Sequence, residues 1–133
     1  MRRFISILTL ISFPALAGAA PIPQRTPIGS FSIDPVKSVS RVELTQVDFL
    51  PGQEMPEHMH PVPVICFVTK GAFLVSIGSA PARSVGVGET TLEPAGAVVH
   101  YFRNVSKSPA QLNCVFLAGP DDKTLSVMLE QKK

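Results

Sequence analysis

Gly52-Gln-Glu-Met-Pro-Glu-His58-Met-His60 and Gly88-Glu-Thr-Thr-Leu-Glu-Pro94-Ala-Gly96-Ala-Val-Val-His100-Tyr-Phe-Arg-Asn104 hold all three histidines of the 133-residue chain. His58 and His60 are two apart, so on an extended strand both point to one face. His100 belongs to a separate strand. Two imidazoles from one strand and one from another form a plausible metal face, because histidine is the commonest metal ligand. Three protein ligands with an open position are the catalytic arrangement.

Outward from these stretches, the chain reads as short strands punctuated by turn signals. Candidates lie at 41–50, near 58–60, and at 64–69, 73–77, 91–93, 98–104, 111–117 and 125–130. Lys70-Gly71 and Ser106-Lys-Ser-Pro109 read as hairpin turns. Asp121-Asp122 is placed to cap a short turn before the last strand. In Arg41–Leu50, Val42 and Leu44 share one face while Val47 and Phe49 share the other. That parity switch near Gln46 reads as a bulge or as a strand partly buried on both sides. No helix of useful length is expected after the first twenty residues. Many short strands with close turns predict an all-β sandwich or barrel.

The beginning of the chain has its own character. Arg2-Arg3 precedes an apolar run from Phe4 to Leu16, and Ala15-Leu16-Ala17 or Ala17-Gly18-Ala19 supplies a small-x-small cleavage site. This is the order of a secretory signal peptide over residues 1–19, which implies a periplasmic or secreted protein with no membrane attachment after cleavage. An uncleaved anchor and a buried N-terminal helix are the alternatives. Residues 20–40 follow, with Pro21, Pro23, Pro27 and Pro35, as an extended arm with room for a short strand at Ser30–Ile33. Residues 41–133 then form the barrel domain. Without Arg2 and Arg3 the chain has ten basic and ten acidic residues, so charge offers no case for nucleic acid or anionic membrane as a partner. Cys66 and Cys114 both lie in apolar runs. Buried free thiols are the default for such positions, and an exported chain could instead pair them.

The two histidine stretches resemble the motifs of the cupin superfamily, the small jelly-roll barrels. The first motif, G-x5-H-x-H-x3,4-E-x6-G, is matched by Gly52, His58, His60 and Gly71; the second, G-x5-P-x-G-x2-H-x3-N, by Gly88, Pro94, Gly96, His100 and Asn104. The likeness covers roughly residues 42–117. Two departures stand out: Val64 or Ile65 occupies the place of the first motif's glutamate, and one extra residue lies between Gly96 and His100. The second places a bulge or longer turn before the histidine.

The resemblance implies a single cupin-type jelly-roll β-barrel with a divalent metal at His58, His60 and His100. Iron, manganese, zinc, nickel and copper all accept such ligands. With three neutral imidazoles the site would hold a net charge of +2 and favour an anionic oxygen ligand. Cupins with three-histidine iron sites include dioxygenases, which makes a dioxygenase-like enzyme on a small anionic organic substrate the leading expectation. The catalytic residue is not specified by the sequence. A non-catalytic small-molecule or metal-binding module is the second reading, and a structural or interaction domain the third. Exposed strand edges and the Pro-rich arm are compatible with a homodimer.

Other residues near the histidines have assignable parity. Phe102, two after His100, is expected on its inward face, with Val64 also inside as a pocket wall. Cys66 shares the parity of His60 if the strand continues, as a ligand, a pocket-lining group or a small apolar filler. Glu54 is a second candidate for the missing carboxylate, or a solvated surface residue. Glu57, Met59, Tyr101 and Arg103 are expected to face away. Asn104 is expected to satisfy turn backbone groups. The chain has neither a phosphate-binding glycine loop leading into a helix nor a serine-nucleophile elbow.

Overall fold

The structure is a computed structural model that describes residues 23–129; the expected signal peptide lies outside them. It contains β-strands and no helix among the described residues. In chain order the strands are β1 (Arg41–Phe49), β2 (Glu54–Met55), β3 (His58–Met59), β4 (Val64–Lys70) and β5 (Ala72–Ile77), then β6 (Arg83–Gly86), β7 (Thr90–Glu93), β8 (Val98–Asn104), β9 (Ala110–Ala118) and β10 (Val127–Met128). All pairings are antiparallel and give two sheets. One has the order β1-β9-β4-β7. The other has the order β10-β3-β8-β5-β6, with β2 also on β8. Non-sequential neighbours in both sheets are the mark of a jelly roll, whose chain repeatedly crosses from one sheet to the other.

The core follows from alternation. Val64, Cys66 and Val68 on β4, and Leu112, Cys114 and Phe116 on β9, are buried and face the space between the sheets. Phe73 and Val75 on β5 and Val99 and Phe102 on β8 face them from the other side. Phe49, Phe73 and Phe102 pack edge-on or tilted, with ring centroids 5.1 to 6.5 Å apart.

The parity switch in β1 is not a bulge. β1 pairs with β9 in unbroken register from Arg41↔Ala118 to Phe49↔Ala110. Val47 and Phe49 pack on the core, whereas Val42 and Leu44 stand exposed on the outer face. The apolar pattern changes face without a change of register, so the strand is not buried on both sides either. No strand forms at Ser30–Ile33, and the chain is irregular from Pro23 to Ser40. The short β2 and β6 were not readable from the sequence. Each has too few residues to show a period of two.

Cys66 and Cys114 lie directly opposite each other on β4 and β9 and are joined as a disulfide. The default of buried free thiols is therefore corrected. Both residues sit on inward positions of adjacent strands, which brings their side chains together. Asn104 is fully buried at the end of β8 and ties two turns. Its amide nitrogen donates to the carbonyls of Leu50 (3.0 Å) and Ser108 (2.9 Å), and its oxygen accepts from the Ser106 amide (2.9 Å) and hydroxyl. Gly71, with φ of +77°, makes the β4–β5 turn where an added Cβ would lie 2.5 Å from that of Ala110.

Two stability predictions follow from these ties. Asn104→Ala leaves several turn groups without partners and lowers unfolding free energy by about 3 kcal/mol in urea titration, since each unpaired buried group costs roughly 1–3 kcal/mol. The double variant Cys66→Ala, Cys114→Ala removes a link between residues 48 apart in sequence. Loop-closure entropy makes that loss about 4 kcal/mol, readable in the same titration.

Candidate metal centre

Two chain crossings build the site. His58 is on β3, and His60 follows where Pro61-Val62-Pro63 takes the chain over to β4. The second crossing runs from Glu93, at the end of β7, through Pro94-Ala95-Gly96-Ala97 into β8. The crossings are fastened together by the Gly96 amide donating to the His60 carbonyl at 2.8 Å. The result places His58, His60 and Glu93, all buried, with ligand atoms within 4.8 Å of one another.

Both imidazoles have assigned tautomers. His58 Nδ1 lies 2.7 Å from the Pro56 carbonyl, and His60 Nδ1 lies 2.7 Å from the Leu125 carbonyl. A carbonyl oxygen only accepts, so each Nδ1 carries a proton and donates it. Each Nε2 is then free to offer a lone pair toward the cluster when the ring is neutral. This is the outer support that metal-ligating histidines normally have. The Ser126 hydroxyl oxygen sits 3.1 Å from the same His60 nitrogen.

Glu93 is the residue the sequence reading missed. It stands directly opposite Val64 in the β4–β7 ladder. The carboxylate absent from β4 is therefore supplied from the neighbouring strand on the same face. Its Oε2 is 2.9 Å from His60 Nε2, and its Oε1 lies 3.5 Å from Cys66 Sγ. The disulfide sulfur has no proton to donate, so that oxygen gains no hydrogen bond there. A carboxylate that is 3% exposed and has one donor is under-satisfied. Two lone-pair nitrogens beside such a carboxylate fit a divalent metal: two histidines and one carboxylate with open positions is a known coordination set. The signal in the sequence was Glu93 sharing the parity of Thr91 within a strand, immediately before the motif proline.

His60 in the metal-free protein has its pKa raised. Burial alone would lower it, but the hydrogen bond to Glu93, the donation to the Leu125 carbonyl and the Glu93 charge together outweigh burial.

His100 is not brought to the other two. In the β5–β8 ladder Ser76 pairs with Tyr101 and Ile77 with Val99, so His100 is the extra residue of a bulge. Val99 instead faces His58 across β3–β8 and is fully buried. The bulge was expected before the histidine; it falls on the histidine itself and turns it outward. There its Nδ1 donates to Glu57 Oε1 at 2.7 Å, with both side chains well exposed. For the same reason His100 and Phe102 do not share a face. Counted from Gly96, the motif's histidine place is held by Val99. The described residues that come together are instead His58, His60 and Glu93, a group that could hold a metal ion.

A cavity of about 200 Å³ lies above the three residues, between the sheets. Val64 and Phe102 line it, as their parity predicts. Cys66 does not. Its sulfur is turned toward Glu93 and bonded to Cys114, which does reach the cavity. The remaining walls are mostly apolar, including Val47, Met55, Leu112 and Phe116. Thr45 and Met128 are exposed and also line it, so the cavity opens on the side of β1 and β10. Glu54 is exposed on β2, opposite Arg103, and is not part of the site.

Comparison with known proteins agrees with the architecture. A wheat (Triticum aestivum) protein, oxalate oxidase GF-3.8, is 37% identical over 105 residues, covering 68% of this chain and 46% of its own length. Barley (Hordeum vulgare) oxalate oxidase 2 is 40% identical over 79 residues, covering 53% of this chain and 35% of its own. The chain therefore spans less than half the length of these curated relatives. Among solved structures, oxalate oxidase in complex with the substrate analogue glycolate superimposes with a TM-score of 0.58 at 32% identity, over 66% of this chain and 46% of that one. An oxalate decarboxylase from Bacillus subtilis, at 18% identity and a TM-score of 0.59, shares the fold. Residues 45–116 match the family model of the Cupin domain, and the chain belongs to the cupin family.

Proposed function

We propose that this cupin is exported and binds one divalent first-row transition metal through His58 Nε2, His60 Nε2 and Glu93, and that it acts there on a small anionic organic substrate as a metal-dependent, dioxygenase-like enzyme. The observation that carries the reading is the pair of fixed tautomers aimed beside a buried carboxylate at the floor of a cavity. The metal would serve as Lewis acid and template for an oxygen ligand in its open positions. The protein's part is orientation and exclusion of water. The Pro56 and Leu125 carbonyls hold the rings, Glu93 sets the charge, and the apolar walls lower the local dielectric. Among the relatives, oxalate oxidases and a glycolate-bound structure support a small oxygen-bearing anion as the ligand class.

One observation favours a second reading, a non-catalytic small-molecule-binding cupin. Apart from the three candidate ligands, the cavity's side-chain polar groups are the hydroxyls of Thr45 and Ser126. Among the described residues, no further titratable side chain lines the cavity as a general acid or base.

The test is metal analysis by mass spectrometry of untagged protein and its single variants after reconstitution. His58→Ala, His60→Ala and Glu93→Ala each lose most bound metal, by tenfold or more, with near-native circular dichroism. His100→Ala retains it. Stoichiometric metal in all three of the first variants would sink the assignment. In the metal-free protein, the His60 ring signals in NMR titrate above the usual histidine value, and in Glu93→Gln they move down. The stability gained from the charged His60 is present below the unfolded-state pKa and disappears as pH rises through the raised folded-state pKa.

A further inference from the structure

Building on the metal site proposed above, we infer that the cavity selects a monoanionic oxygen chelator bearing an apolar body, such as a branched-chain 2-oxo acid, over a compact dianion such as oxalate. Charge gives the first reason. Both imidazoles would be neutral ligands in the loaded site, because each keeps its Nδ1 proton in a hydrogen bond to a carbonyl and would offer the Nε2 lone pair to the ion. A divalent ion with the Glu93 carboxylate leaves a net charge of +1. A monoanion brings the site to zero, whereas a dianion leaves one negative charge uncompensated in a largely apolar chamber. An unpaired charge away from water is strongly disfavoured.

Among the described residues, no cation is present in the lining to meet that second charge. The described residues of the cavity walls include no lysine or arginine, nor any asparagine or glutamine. The nearest basic residue on the inward parity of β1 is Arg41, four positions before Thr45. Its guanidinium is committed elsewhere, with Nε donating to Glu43 at 2.7 Å and Nη2 to the Asp122 carbonyl at 2.8 Å. Arg103 pairs across from Glu54 on an exposed position of β8.

Shape gives the second reason. Val47, Leu112 and Phe116 stand on the β1–β9 wall, and Met55 and Phe102 on the other, around about 200 Å³. That volume is several times a water's share of about 30 Å³. A six-atom dianion presents only polar edges to these walls. An aliphatic tail of four carbons extending from the metal-bound head group toward Leu112 and Phe116 would remove apolar surface from water on both sides. Each buried methylene contributes about fourfold in affinity.

The experiment uses the full-length mature protein reconstituted with cobalt(II), whose visible absorption reports on ligands entering the coordination shell. Metal content is measured first. Oxalate, pyruvate and 4-methyl-2-oxopentanoate are then titrated, with calorimetry as a second readout. The expected result is that 4-methyl-2-oxopentanoate binds at least tenfold more tightly than pyruvate, which has the same head group, and at least tenfold more tightly than oxalate. Thr45→Arg, at an exposed lining position, adds a cation at the mouth and should shift the ratio toward oxalate by fivefold or more. No cobalt uptake would overturn the metal reading and the ligand preference together. Cobalt uptake with oxalate binding as tightly as the branched acid, or with neither 2-oxo acid binding, would overturn the ligand preference alone. An unchanged ratio in Thr45→Arg would overturn its basis in charge.

Discussion

The contact between His60 Nε2 and Glu93 Oε2, at 2.9 Å, joins the two places where the chain passes between sheets. Both groups are nearly sealed from solvent, so neither tolerates loss of the other without leaving a polar group unpaired. The neighbouring backbone follows the same constraint. The His60 carbonyl receives the Gly96 amide, which fixes the crossing that Glu93 begins. The Leu125 carbonyl receives His60 Nδ1, which holds the segment before β10 against the site. β10 in turn pairs with β3, where His58 stands. The cavity's floor and its open side are thus set by one buried imidazole and its partners.

The disulfide shapes the carboxylate's surroundings as well as linking β4 to β9. Cys66 lies behind Glu93 with no S–H to offer, while Cys114 turns toward the cavity. A free thiol at Cys66 would give Glu93 Oε1 a weak donor, and two free thiols would place soft ligands near an otherwise nitrogen and oxygen set. Oxidised, the pair is removed from coordination chemistry. The buried carboxylate then keeps an unsatisfied oxygen, which is the feature that makes it suited to a cation.

Much of the fold was readable because strand alternation is a local property. The β8 range, the inward Val64 and Phe102, the shared face of His58 and His60, and the turn-binding role of Asn104 all follow from spacing within a few residues. What failed was non-local. The extra residue between Gly96 and Asn104 could be absorbed in the turn or in the strand. Only the pairing of β8 with β5 decides that it falls at His100, between Val99 and Tyr101. A slip of one residue turns a side chain to the opposite face. The β4–β7 register likewise decides that Glu93 faces the place of Val64, and no spacing inside either strand encodes it. The same limit applies to Cys66 and Cys114, whose parity fits both a disulfide and two packed thiols until β4 and β9 are aligned.

In the proposed site, Glu93 in place of His100 would change the physics as well as the membership. Three imidazoles would leave the full double charge of the ion to be met by a ligand, in a setting where compact dianions are favoured. With Glu93 as a ligand the protein would supply half of that charge itself, from a residue whose own burial needs a positive partner. Apolar walls would suit such a site, because only one negative charge would have to enter and it would go directly to the ion. Val99 beside His58 is consistent with this economy: where the family motif has a fourth polar group, this chain has a methyl-bearing side chain packed against the floor. In the proposed site, charge balance and apolar walls would both derive from one exchange, a carboxylate gained on β7 against a histidine turned outward on β8.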